Sequence, residues 1–400
     1  MRIAVSTIGR FHSFDLACQL AARNMLAVVY TGYPRFKLAN TGVAAEAVRT
    51  FPWVQTPYMA LMRYGWFQRW LDVPWARVAR RTFDAHVARS LVDCDLVSIL
   101  SGFGMRTGEA ARQRGIRVVC DRGSSHILTQ DALLREEYDR VGLRWRGIDP
   151  DVIDRELAEY ETADAISVPS TFVRDSFLRH GVAPDKMLFA PYGVDLRGYQ
   201  RACPRDREFR VLFVGGLSVR KGLHDLLAAF RLADLKDARL VLVGSATPET
   251  TTLLGGSVPE DVELTGHLSR DGVIREMSRA SVMVLPSVEE GLALVMAQAL
   301  SCGCPVIAST HTGAEDLFCD DREGFVVPIR DPDAIADRLT RLHEDRDLLA
   351  RMSDAAAARV GAIGGWQDYG DRIERGYRAI VDGGSPAVPV RSSAQNSRSI

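Results

Sequence analysis

Short apolar runs recur through this chain, and most lead through a turn into a segment with helical spacing. Residues 1–6 form such a run, followed by the turn Thr7-Ile8-Gly9-Arg10 and a helix beginning near His12 or Ser13. Its apolar face is Phe14, Ala17, Cys18, Ala21 and Ala22. Further runs at 25–31, 95–100, 116–120, 165–168 and 186–190 alternate with expected helices at 107–113, from 151 and at 172–179, the last capped by Ser170. A chain patterned in this way folds as α/β, with a parallel, doubly wound sheet covered by helices.

The pattern then starts again. Residues 195–208 are polar and irregular, as a linker between domains would be. Strands are expected at 209–214, 239–243, 262–264, 282–285, 306–309 and 325–327, with helices at 223–231, 271–279 and from 334 onward. This predicts a first Rossmann-like domain over 1–200 and a second over 201–364. A helix at 365–382 is expected to pack back on the first domain, and 383–400 is small, polar and expected to be disordered.

With 50 basic and 51 acidic residues the chain has no global field that would hold nucleic acid, so a partner must be recognised by a local site. Seven scattered cysteines suit reduced thiols and predict a cytoplasmic location. Cys302-Gly303-Cys304 lacks a second Cys/His pair and is a poor zinc site. The N-terminus reads as a strand too brief for a signal-peptide core, and nowhere do eighteen apolar residues run together.

Two turns stand out chemically. The stretch 286–305, PSVEEGLALVMAQALSCGCP, places Glu289 and Glu290 where an expected strand turns into a helix expected to start at Gly291 and stop near Gly303. That is the end of a parallel sheet at which ligands bind. The carboxylates either cap that helix or meet a ligand beside its first amides. The second turn, 214–222 (VGGLSVRKG), sets Arg220 and Lys221 at a helix start after a strand. It suits a pyrophosphate or is a solvated basic face; it is neither a dinucleotide nor a triphosphate fingerprint.

Together with Gly193-Val194-Asp195, Gly313-Ala314-Glu315-Asp316 and Glu323-Gly324-Phe325-Val326-Val327, these turns resemble those of the family 4 retaining glycosyltransferases. The resemblance implies the GT-B architecture, two Rossmann-like domains facing each other across a cleft, and a nucleotide-sugar donor without a metal or other cofactor. Lys221, with Arg220, would hold the donor diphosphate, and Gly215 and Gly216 would let it approach. Glu290 would bind donor-sugar hydroxyls, with the amides of Gly291, Leu292, Ala293 and Leu294 against sugar and phosphate. Two departures stand out: Gln298 replaces the family's second glutamate, which meets the ribose, and Gly216 replaces an arginine. In the first domain the resemblance places Gly9 near the donor sugar and His126 among the catalytic residues, unless that histidine is structural. His12, Asp121 and Arg122 are expected near the acceptor.

The function implied is transfer of a sugar to a glycan or lipid-linked acceptor in polysaccharide or glycoconjugate synthesis. The alternatives are an epimerase on the same fold or a non-catalytic sugar-nucleotide or glycan binder. Residues 51–75 hold four of the six tryptophans, interleaved with Arg63 and Arg69 and followed by Arg77, Arg80 and Arg81. They form either an excursion packed on the first domain or, through 51–81, a peripheral contact with the inner face of a membrane.

Overall fold

The computed structural model describes residues 1–39, 41–62, 64 and 70–386. Arg63, Arg69 and the expected tail from 387 lie outside the described residues. The first sheet is β1 (Ile3–Thr7), β2 (Leu26–Thr31), β3 (Val48–Thr50), β4 (Leu96–Leu100), β5 (Arg117–Asp121), β6 (Ala165–Val168) and β7 (Met187–Phe189), in the order β3-β2-β1-β4-β5-β6-β7. The second is β8 (Phe209–Val214), β9 (Ala238–Val243), β10 (Val262–Gly266), β11 (Val282–Leu285), β12 (Val306–Ser309) and β13 (Gly324–Val327), ordered β10-β9-β8-β11-β12-β13. Every pairing between these strands is parallel.

In both sheets the strand order reverses beside the first strand, so each has a crevice at its carboxyl edge. The turns after β1 and β5 and those after β8 and β11 come from these edges. The central strands are buried on both faces, which is why they read as unbroken apolar runs.

Two stretches of chain join the domains. One leaves β7 through Pro191–Val194; the other returns into the helix Trp366–Val381, whose Tyr369, Ile373, Tyr377 and Ile380 are buried against Phe14, Leu20, Leu96 and Leu188 of the first domain. This last helix therefore forms one layer of the first domain although it follows the second in sequence.

The aromatic excursion is a pair of packed helices, Pro52–Leu61 and Asp72–Ser90. Tyr58 donates to Asp72 Oδ1 at 2.7 Å and Trp75 Nε1 to the Val54 carbonyl at 3.2 Å. Trp53 and Trp70 face outward, 77% and 69% exposed.

Two local expectations need correction. The helix after Glu290 begins only at Val295, not at Gly291, and runs to Ser301. Residues 290–293 are drawn instead onto the neighbouring loop, Glu290 N donating to His311 O at 3.0 Å and Ala293 N to Thr312 O at 3.1 Å. A helix that the sequence did not suggest, Ile127–Arg140, follows His126 and leans on the second domain.

Candidate active site

The second domain's wall is built from its two turns. Gly222 has a left-handed φ of 69°, and a Cβ there would stand 2.1 Å from the Pro286 carbonyl oxygen. Only glycine lets the 214–222 turn lie this close to the 286–291 turn. The approach brings the Lys221 ammonium onto the Glu290 carboxylate. Both side chains remain partly accessible, at 26% and 13%. Burial, with Arg220 alongside, pulls the Lys221 ammonium down to about 8, and the Glu289 carboxylate opposes that by favouring the charged form.

Glu289 has the opposite fate. It is fully buried and takes hydrogen bonds from Ser124 Oγ (2.9 Å), Ser125 N (2.9 Å), Ser125 Oγ (2.8 Å) and Gln130 Nε2 (3.1 Å), all from the first domain. Arg220 closes the cage at 2.8 Å. Burial works against its charge, but Arg220 and the Ser125 donors hold the carboxyl below its ordinary range. The Arg220 guanidinium, expected on a diphosphate, is thus committed to Glu289 and Ser124.

Gly216 meets no atom within 4 Å of a built Cβ, so the space left by the family's arginine is open. Gln298 is half-buried on the helix Val295–Ser301, and no hydrogen bond of its amide is recorded among the described residues. Of the amides expected to face the sugar, that of Ala293 is already bonded to Thr312.

On the first domain's wall, His12 Nε2 and Asp121 Oδ2 are 2.6 Å apart. Asp121 ends β5 and His12 follows the β1 turn, in which Gly9 is buried with the Phe11 ring folded over it. A carboxylate only accepts, so the contact makes Nε2 the donor. Gly123 passes beside this pair, and its carbonyl oxygen lies 1.8 Å from where a Cβ on Gly291 would be. The loop carrying the dyad therefore touches the turn carrying Glu290, backbone to backbone.

Two expected residues are placed elsewhere. His126 caps the helix Ile127–Arg140 through Nδ1, stacks on His180 at 4.1 Å and lies among Tyr160 and Phe177. Burial, with His180 and Arg122 nearby, pushes it down to about 3, so it stays neutral. Arg122 is a buried strut whose guanidinium joins Glu156, Gln130, Ser101 and the Ser125 carbonyl. Asp316 caps a helix of the other domain, accepting from Thr171 N and Oγ1 at 2.7 Å each.

A second cross-domain cluster went unseen in the sequence. Arg140 reaches Asp225 at 2.6 Å, Arg330 reaches Glu137 at 2.5 Å, and His224 meets Glu137 at 2.5 Å. Glu137, His224 and Asp225 offer three possible metal ligands within 4.8 Å, but the Arg140 guanidinium already stands among them.

Likeness to solved structures defines the class. Sucrose-phosphate synthase of Thermosynechococcus elongatus superposes with a TM-score of 0.69 at 20% identity, covering 96% of this chain and 100% of that one. The Anabaena protein HepE in complex with UDP-glucose does so at 0.66 and 17%, covering 94% and 98%. The fold is GT-B. Residues 208–345, within the second domain, match the model of glycosyl transferases group 1. A GDP-mannose-dependent monoacylated alpha-(1-6)-phosphatidylinositol monomannoside mannosyltransferase of Corynebacterium glutamicum is 30% identical over 205 residues, 46% of this chain and 54% of that protein. Alpha-D-kanosaminyltransferase of Streptomyces kanamyceticus is 32% identical over 178 residues, 42% and 45%. The chain spans about half the length of the curated relatives it matches.

Proposed function

We propose that this protein moves a sugar, with retention and without a metal, from a nucleotide-diphosphate sugar to an acceptor hydroxyl. The observation that carries the reading is the Lys221–Glu290 pair at the point where the domains touch. A donor lying there would put its diphosphate on Lys221 and its sugar hydroxyls on Glu290, so the bond between sugar and phosphate would span the pair. As that bond breaks, negative charge grows on the departing diphosphate, and a fixed cation in a dry cleft stabilises it. For retention the acceptor oxygen bonds to the anomeric carbon on the face from which the diphosphate departs, and its proton passes to His12 Nδ1 while Asp121 holds Nε2–H. Gln298 would meet the ribose with a neutral amide.

A screen of UDP-, GDP- and dTDP-sugars by thermal shift selects the donor, and a transfer assay follows. Lys221→Ala and Glu290→Gln are each expected to cut kcat/KM by about 100-fold or more. Wild-type turnover in both sinks the assignment. Nucleotide binding without transfer to any acceptor supports the binder instead, a reading favoured by the open space at Gly216.

The acceptor we infer is lipid-linked and met at an anionic membrane surface. Residues 1–90 carry twelve Lys and Arg against four Asp and Glu, in a chain that is otherwise acidic. Phe36, Trp53 and Trp70 project from this region. A groove of about 400 Å3 in the first domain is lined by Arg81, His86, Arg89 and Arg106, and among the described residues the guanidinium groups of Arg89 and Arg106 meet no carboxylate. Among the described residues no helix is long and apolar enough to cross a membrane. Exposed Trp with unpaired Arg suits the headgroup layer. Flotation with phosphatidylglycerol vesicles at low salt tests it; protein left wholly in the aqueous fraction overturns it.

A further inference from the structure

Tyr192 belongs to neither sheet. It lies in the stretch Pro191–Val194, where the chain leaves the first domain, and it packs against the hydrophobic cores of both domains. The second crossover is anchored to the same spot. Val194 N donates to the Gly364 carbonyl at 3.3 Å, and the Gly193 backbone lies directly on Trp366. Any swing of one domain on the other must therefore turn about Tyr192.

That side chain also touches the dyad. Its ring lies on the His12 imidazole at 4.3 Å and 31°, and its hydroxyl is 3.2 Å from His12 Nε2, the nitrogen that meets Asp121. The Tyr369 ring backs it edge-on at 6.0 Å. A Cβ on Gly123 would stand 2.9 Å from the Tyr192 hydroxyl and 3.4 Å from His12 Cε1. On its far side the Gly123 carbonyl meets Gly291. Three parts of the molecule thus close on one glycine: the crossover through Tyr192, the dyad through His12, and the second domain's wall through Gly291.

We propose that Tyr192 is a positioning residue that holds His12 on Asp121 and makes that alignment depend on closure of the two domains. The inference rests on the reading of His12 as the group that receives the acceptor proton. When the second domain swings away, Gly291 leaves Gly123, and the loop that confines the Tyr192 hydroxyl and the imidazole loses its backing. The base is then aligned only while the cleft is shut and water is excluded. A transferase gains from this because a base aligned in the open state would offer water a route to the donor.

The test uses the whole chain, labelled with nitrogen-15 at histidine, and reads the imidazole of His12 by two-bond proton–nitrogen correlation across pH. His12→Asn assigns the resonance. Tyr192→Ala is expected to mix the neutral tautomers of His12, which the wild type holds with Nε2–H on Asp121. Tyr192→Phe keeps the ring and removes only the hydroxyl, so it should mix them less. It also serves if the alanine variant does not fold. In the transfer assay, with kcat referred to the folded fraction, Tyr192→Ala should lower kcat about 10-fold with the donor KM within about twofold. An unchanged His12 tautomer in both variants overturns the proposal. If the wild type transfers no sugar, the functional reading fails while the histidine spectra still decide the role of Tyr192.

Discussion

The two walls of the cleft are made differently. On the second domain, Lys221 and Glu290 come from two short turns, each written in consecutive residues after a strand, with glycines where the turns meet. On the first domain, the dyad needs His12, Asp121 and Tyr192, drawn from three remote parts of the chain. The difference teaches where specificity can reside. On the proposed reading a diphosphate and a sugar would meet local turn chemistry, whereas the acceptor would meet a wall assembled from scattered side chains that can vary one at a time.

The sharpest test of this contrast sits inside one dipeptide. Glu289→Ala removes the carboxylate that receives Ser124, Ser125, Gln130 and Arg220, and breaking such a buried set costs about 3 kcal/mol or more. Its melting temperature should fall by several degrees, whereas that of Glu290→Gln should stay near wild type while turnover is lost. Equal losses of stability in the two would erase the distinction. The two histidines of the first domain divide in the same way. His12→Asn should lower kcat by about 100-fold with little change in melting. His126→Asn should lower melting and leave kcat near wild type, and the reverse outcome would restore His126 to the chemistry.

A smaller effect probes the space at Gly216. Gly216→Arg puts a guanidinium into open volume beside Lys221 and should tighten donor binding about 10-fold, as one charge-assisted hydrogen bond would. An unchanged dissociation constant by calorimetry would show that the diphosphate does not pass there.

The smallest effect concerns the second cross-domain cluster. Burial lowers the His224 imidazole, but Asp225 and Glu137 outweigh it and raise the group above its ordinary value. Its stabilising contribution is complete below pH 6.5 and is lost as pH rises through that raised value. Glu137 is held down at about 2, since hydrogen bonds from His224, Arg140 and Arg330 overcome its burial, so its contribution fades only in strong acid. Melting should therefore drop by about 1–2 °C on going from pH 6 to pH 8.5. His224→Gln should remove that slope, and an identical slope in the variant would detach His224 from domain closure.

The sequence was informative where a function is written along a few adjacent residues. The alternation of strands and helices is visible because both faces of each parallel strand are buried, and the turns at 214–222 and 286–291 are visible because their glycines and charges adjoin. Tyr192 was hidden because a tyrosine before Gly193 carries no local sign that its ring will meet His12, 180 residues away. His126 misled for the related reason that a polar loop after a strand looks alike whether its histidine turns to the cleft or into the core. The helix Ile127–Arg140 was missed because the charges that dock it on the second domain read, in sequence, as an ordinary solvated face.

The helix Trp366–Val381 has a consequence for how the molecule is made. Synthesis delivers the first domain's strands early, yet Leu20, Val29 and Leu188 stay without the layer that covers them until residue 381 has left the ribosome. The domain translated first is therefore finished last, after the second has had time to fold alone. In the interval the nascent chain shows an apolar face that only its own far end can cover, which makes this protein a natural client for chaperones that bind at the ribosomal exit.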